Sequence, residues 1–232
     1  MAGKELSADQ GLRKNTVSDP DSRALTPPYF RLVARLIRPF PHFDFWFVKA
    51  LRQRAVESLA LRSGDRVLDA GCGPGGCFPY LVKAVGDTGQ VFGVEISSEV
   101  AINARKRIAA HKWSNVEVVV CSAETVALSG IFHGIVFFGA PDCYASSRIL
   151  DNLLPHLADR GRVAIFGAKL SRQAIAQVLN PLFSKLFSYA TFATTPPLEY
   201  EPWHLLEERL GKFEVKEYFY GLFFLASGPE RT

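Results

Sequence analysis

A surplus of charge is missing: 27 basic against 23 acidic residues leave a formal +4 over 232 positions. Bulk electrostatics therefore do not mark a nucleic-acid binder. Cysteine is scarce. Cys72, Cys77, Cys121 and Cys143 have no CxxC spacing, so they make neither a metal nor a disulfide framework and no metal is expected. Reduced thiols in a cytoplasmic protein are the reading. No apolar stretch approaches roughly 18 uninterrupted residues, which excludes a transmembrane helix by sequence. Met1–Arg23 is polar and mixed in charge, without the apolar run of a secretory signal. Internal repeats are absent too. What remains is a globular balance, 48% hydrophobic and 22% charged, which excludes disorder of the whole chain.

The charge that is present is unevenly placed. Residues 29–54 carry Arg31, Arg35, Arg38, Lys49, Arg52 and Arg54 against Asp44 alone. Further on, short runs of Val, Ile and Phe alternate with helix-period stretches. Val67–Asp69, Val91–Glu95, Val116–Val120, Ile135–Phe138 and Val163–Phe166 read as strands buried on both faces of a parallel sheet. Ser97 or Ser98 caps a helix running to about His111. Ser146 or Ser147 caps another, containing Ile149, Leu153 and Leu157, which Gly161 ends. Phe213–Tyr220 and Leu222–Ser227 are separated by Gly221 alone, too close for a parallel crossover, so they pair as an antiparallel hairpin. The result is a doubly wound α/β fold of seven strands. Residues 1–27 read as a mobile tail, 28–60 as a helical cap, and 61–232 as the α/β domain, with an insertion at about 171–210.

The loop after the first strand reads Asp69-Ala70-Gly71-Cys72-Gly73-Pro74-Gly75-Gly76. Gly71, Gly73 and Gly76 satisfy a GxGxxG spacing. A dinucleotide would bring a pyrophosphate to this turn, and Asp69, two residues before the first glycine, would repel it. The same carboxylate would welcome an ammonium group. A ligand with an ammonium, a ribose and no phosphate fits better. With Val91-Phe92-Gly93-Val94-Glu95-Ile96-Ser97, the loop resembles the class I S-adenosylmethionine-dependent methyltransferases, in particular their ubiquinone/menaquinone, sterol and phospholipid group. The resemblance runs from about Leu61 to Gly228. It implies strand order 3-2-1-4-5-7-6 with strand 7 antiparallel.

It also implies roles. Asp69, Gly71, Gly73 and Gly75 would lie at the methionine end of the cofactor, S-adenosylmethionine. Glu95 would accept the ribose hydroxyls, Ile96 would pack on the adenine, and Ser122-Ala123 would meet the adenine edge. Gly139 would lie near the methionyl chain. Ser122 stands where the family often has an acid, and His133 where an acid frequently opens strand four; His133 reads as a strand-end residue with its hydrogen bond satisfied.

For the methyl acceptor, Gly139-Ala140-Pro141-Asp142-Cys143-Tyr144 lacks the Asn/Asp-Pro-Pro-aromatic pattern that holds a planar amide, which argues against nucleic acid or protein. Asp142 and Tyr144 are the candidate catalytic pair, to orient or deprotonate the acceptor, or else a turn residue and a packing residue. Two regions are rich in aromatics, one ahead of the first strand and one in the insertion between strands five and six. Tyr29, Phe43 and Trp46 belong to the first, and Phe187, Tyr200 and Trp203 to the second. In the family such regions fold over the acceptor, so these six residues are the expected acceptor pocket and a lipophilic or aromatic small molecule the expected substrate. Methyl transfer would run by in-line displacement. Arg31, Arg35 and Arg38 fall on one helix face, opposite Leu32, Leu36 and Ile37, and suit peripheral contact with anionic membrane or plain solvation. The alternatives are an RNA methyltransferase, or a cofactor-binding protein that does not methylate, such as a cyclase or a regulatory partner.

Overall fold

The computed structural model describes residues 46–190 and 198–229. The expected tail, Tyr29, Phe43 and the expected helix with Arg31, Arg35 and Arg38 lie outside the described residues. Strands β1 (Arg66–Ala70), β2 (Gln90–Glu95), β3 (Val116–Val120), β4 (Phe132–Phe138) and β5 (Leu157–Ala168) pair in parallel. Strands β6 (Glu214–Tyr218) and β7 (Phe223–Ser227) form the antiparallel hairpin. The order is β3-β2-β1-β4-β5-β7-β6, with β7 antiparallel to β5. The continuous Val/Ile/Phe runs are explained by burial on both sheet faces. One face packs Leu68, Ile135, Phe137, Ile165 and Phe224, the other Val67, Val91, Val136, Ala164 and Leu225.

Helix α1 (Trp46–Ser58) lies on the second face and buries Leu51, Ala55 and Val56 there. Helix α2 (Phe78–Val85) follows the glycine loop with proline in its first turn, where a missing N–H costs nothing. Helix α3 (Ser98–His111) is capped by Ser97, whose Oγ accepts from the Val100 amide. Helices α4 (Pro141–Tyr144) and α5 (Ser147–Leu153) follow β4. The Ser146 side chain caps α5 by accepting from the Ile149 amide. Helices α6 (Ala174–Ala190) and α7 (His204–Leu210) precede the hairpin.

Two boundaries differ from expectation. The helix capped by Ser146 does not reach Gly161: it stops at Leu153 and passes through a 3-10 turn at Leu154–His156. Pro155 is the cause, since it can neither donate the next helical bond nor clear the carbonyl four residues back. β5 therefore begins at Leu157, with a shift in its pairing to β4 between Phe132 and Gly134. The hairpin turn is also longer than Gly221 alone. Phe219 and Tyr220 both adopt left-handed φ, 50° and 57°, before Gly221 at 77°. Positive φ supplies the twist that tight hairpins need, here at some strain from non-glycine residues.

Candidate active site

All five parallel strands end on one edge, and the glycine loop emerges there from β1. The Gly71 and Cys72 amides both donate to Val94 O, at 2.9 and 3.0 Å, which pins the loop to β2. Gly71, at φ 73°, is bare for packing: a Cβ would lie 2.6 Å from that of Ala140. Gly73 and Gly139 differ. Both have positive φ, and a Cβ on either would meet nothing within 4 Å. The loop and the end of β4 thus both border open space. Gly75 is glycine because a side chain would strike the Phe78 ring.

Glu95, at the end of β2, is buried and grips the backbone on either side. Its Oε2 accepts from Gly73 N at 2.9 Å and its Oε1 from Ser97 N at 2.8 Å. Each oxygen keeps a second lone pair for a hydroxyl donor. Burial lifts the Glu95 carboxyl to about 7 against these stabilising amides, and the Asp142 charge adds to the rise. Asp69 is 1% exposed, and among the described residues its Oδ2 accepts no hydrogen bond. Burial raises its carboxyl to about 7, opposed by Arg52 and reinforced by Glu95. Three carboxylates, Asp69, Glu95 and Asp142, thus act on one region, with Arg52 the positive charge that acts on Asp69. An orphaned buried carboxylate oxygen beside bare backbone suits a ligand that carries an ammonium and a sulfonium. The residues present fit S-adenosylmethionine.

The other expected cofactor contacts lie along the same edge. Ile96 follows Glu95 and is half-buried. The Ser122 hydroxyl accepts from Glu124 N at 3.2 Å and so caps its own turn, while Ala123 is buried and its carbonyl accepts from Asn152.

The candidate catalytic pair separates. Asp142 is exposed in the first turn of α4. Tyr144 does not share the site and is corrected to a core residue. It is 1% exposed, edge-on to Phe137 and Phe224, and its hydroxyl fills the place a Cβ on Gly167 would need. Burial pushes its phenol far above the usual range, which rules it out as a base at neutral pH. Residues two apart on a helical turn point about 200° apart, so an outward Asp142 sends Tyr144 inward.

Of the acceptor set, Tyr29 and Phe43 lie outside the described residues. Trp46 opens α1 and Phe187 lies in α6, but their side chains are not described. Tyr200 is exposed, under the Arg172 guanidinium. Trp203 is corrected to core: it is buried against Phe224, with ring centroids 4.9 Å apart. His133 sits at the start of β4, the opposite end from the glycine loop, where Nδ1 accepts from Arg66 N at 3.1 Å.

One residue of the site had no motif to announce it. Arg52 of α1 lays its guanidinium 5.2 Å from the centroid of Phe138, the last residue of β4, and against Gly76 of the loop. The basic excess in residues 29–54 was its only trace. Among the described residues no cluster of His, Cys, Asp or Glu is arranged to hold a metal, and no helix is long and apolar enough to cross a membrane.

Residues 67–161 match the family described as "methyltransferase domain". Aklanonic acid methyltransferase of Streptomyces sp. strain C5 is 28% identical over 155 residues, 65% of this chain and 69% of that protein. Demethylmenaquinone methyltransferase of Shouchella clausii is 25% identical over 191 residues, 79% of each chain. Among solved structures, a SAM-dependent methyltransferase of Aquifex aeolicus aligns with a TM-score of 0.56 at 19% identity, covering 90% of this chain and 97% of its own. Geranyl diphosphate C-methyltransferase of Streptomyces coelicolor, bound to S-adenosyl-L-homocysteine, aligns with a TM-score of 0.62 at 13% identity over 78% of each chain.

Proposed function

We propose, from the premise that this chain is a class I S-adenosylmethionine-dependent methyltransferase, that its acceptor is a lipophilic or aromatic small molecule methylated by in-line displacement. The carrying observation is that two relatives aligned over most of their length, 69% and 79%, are named for small organic acceptors, aklanonic acid and demethylmenaquinone. The aromatic composition of residues 29–47 and 183–203 supports the same class. In this reading residues 28–60 and the insertion at about 171–210 cover the acceptor over the carboxyl ends of the strands, and the chain works in the cytoplasm, at times against an anionic membrane.

S-adenosylmethionine supplies an electrophilic methyl group on a sulfonium. The protein supplies alignment, charge and a dry cavity. Glu95 holds ribose hydroxyls while fixing the Gly73 and Ser97 amides. Asp69 takes the ammonium on its orphaned Oδ2. The open faces of Gly73 and Gly139 leave room for the methionyl chain. Asp142, the one candidate catalytic side chain facing solvent, orients the acceptor or removes its proton.

Incubating purified protein and tritiated S-adenosylmethionine with total lipid extract and with total RNA separates the acceptor classes. Label is expected in the organic extract. Label confined to RNA would overturn the small-molecule reading. Comparing metabolites of gene-deleted and wild-type cells would then identify the acceptor.

A further inference from the structure

The third glycine of the loop needs its own explanation. Gly76 does not have the positive φ of Gly71, Gly73 and Gly75, so its backbone would tolerate any residue. Its lack of a side chain keeps a place for Arg52. A Cβ at 76 would fall 2.6 Å from Arg52 Cζ and 2.7 Å from its Nε and Nη2. The same guanidinium lies over Phe138, directly before Gly139 and its open face. Arg52 thus bridges from α1 into the gap between the glycine loop and the end of β4.

The cofactor's methionine end carries two positive groups, sulfonium and ammonium, and one negative, the α-carboxylate. Asp69, Glu95 and Asp142 suit the positive groups and repel the negative one. The carboxylate needs a cation among those acids; the charge of Arg52 already acts on Asp69, and its planar guanidinium offers two parallel N–H donors. We propose that Arg52, admitted by the bare Gly76, binds the α-carboxylate of the cofactor and makes the site select carboxylated over decarboxylated ligand. The assignment rests on the methyltransferase reading. It gives the sequence Gly75-Gly76 a division of labour: Gly75 yields to Phe78, and Gly76 to the side chain that reads the amino-acid end of the ligand.

Titration calorimetry on the full chain tests it with two probes, S-adenosylhomocysteine and its decarboxylated analogue, which keeps the ammonium. Wild-type protein is expected to prefer the carboxylated probe by about tenfold or more. Arg52→Gln should weaken S-adenosylhomocysteine by about 10–100-fold and change the analogue by less than about threefold, so the preference collapses. Arg52→Lys, a charge without the fork, should restore part of it. Gly76→Ala leaves the charge in place but displaces the guanidinium, and should lower the preference without abolishing the fold, as melting will report. Equal weakening of both probes by Arg52→Gln would overturn the assignment and leave Arg52 acting only through Asp69. An unchanged preference would overturn it too. Wild-type protein that binds neither probe would instead overturn the methyltransferase reading on which it stands.

Discussion

At the scale of single residues, the site stores charge in an unfavourable place. Asp69 and Glu95 keep their protons up to about 7 in the folded chain, against ordinary values of 3.8 and 4.5. The folded state therefore binds more protons than the unfolded one across that interval, and stability falls as pH rises from about 4 through about 7. A positively charged ligand favours the ionised carboxylates, so its affinity moves the other way. We expect S-adenosylmethionine to bind more tightly as pH climbs from about 6 to 8, while the free protein's melting temperature declines over the rise to 7. Calorimetry and melting at stepped pH check both, and a flat affinity profile would remove the two carboxylates from the binding step. Glu95→Ala should weaken the cofactor by about 1.5–3 kcal/mol, the worth of hydrogen bonds to a charged group. The glycines separate by the same logic. Gly71→Ala meets Ala140 and should lower the melting temperature. Gly73→Val places a branched side chain at φ 55° into open space, and should abolish binding in protein that keeps its far-ultraviolet dichroism. Wild-type affinity in the Val variant would mean that the loop is not the cradle.

At the scale of elements, what was legible in the sequence followed from local chemistry, and what was missed followed from contacts between distant parts. The strand runs and both serine caps could be read because apolar continuity and N-cap hydrogen bonding belong to neighbouring residues. Pro155 was local as well, yet the apolar spacing of Leu153 and Leu157 concealed it by matching helical and strand periods alike. Tyr144 could not be placed from sequence alone. Its burial depends on Phe137 in β4, Phe224 in β7 and the bare Gly167 in β5, three strands that only the fold brings together. Arg52 was hidden for the same reason, since only the fold brings α1 against the loop and the end of β4. Placement changes what mutation should do. Trp203→Ala, expected from sequence to affect the acceptor, should instead cost about 3–5 kcal/mol of stability as a large-to-small change in the core. Chemical denaturation measures this, and a small loss with a raised acceptor KM would return Trp203 to the pocket wall. Tyr144→Phe should leave kcat within about twofold, because a phenol that stays protonated at neutral pH takes no proton from an acceptor.

At the scale of the whole molecule, the charge distribution bears on where the acceptor is met. The net charge of +4 conceals a net charge of +5 in residues 29–54, six basic side chains against Asp44, so the remainder of the chain is close to neutral. Arg52 is accounted for at the cofactor site; for the other basic side chains an acceptor drawn from an anionic bilayer supplies a physical reason. Each Lys or Arg near such a surface contributes about 1 kcal/mol, and the attraction fades within a Debye length. If lipid is where the acceptor waits, wild-type protein should sediment with phosphatidylserine-containing vesicles at low salt and be released by raised salt. Replacing Arg31, Arg35 and Arg38 together by Gln should then reduce sedimentation by the equivalent of about 3 kcal/mol. The cofactor half of the site is built from β1, β2, β4 and Arg52 of α1, none of which that variant touches, so affinity for S-adenosylhomocysteine should not change. This constancy distinguishes a lost surface contact from a damaged fold. Wild-type protein that ignores the vesicles at low salt would sink the membrane version and leave a freely dissolved aromatic acceptor, with the basic side chains serving only as a solvated face.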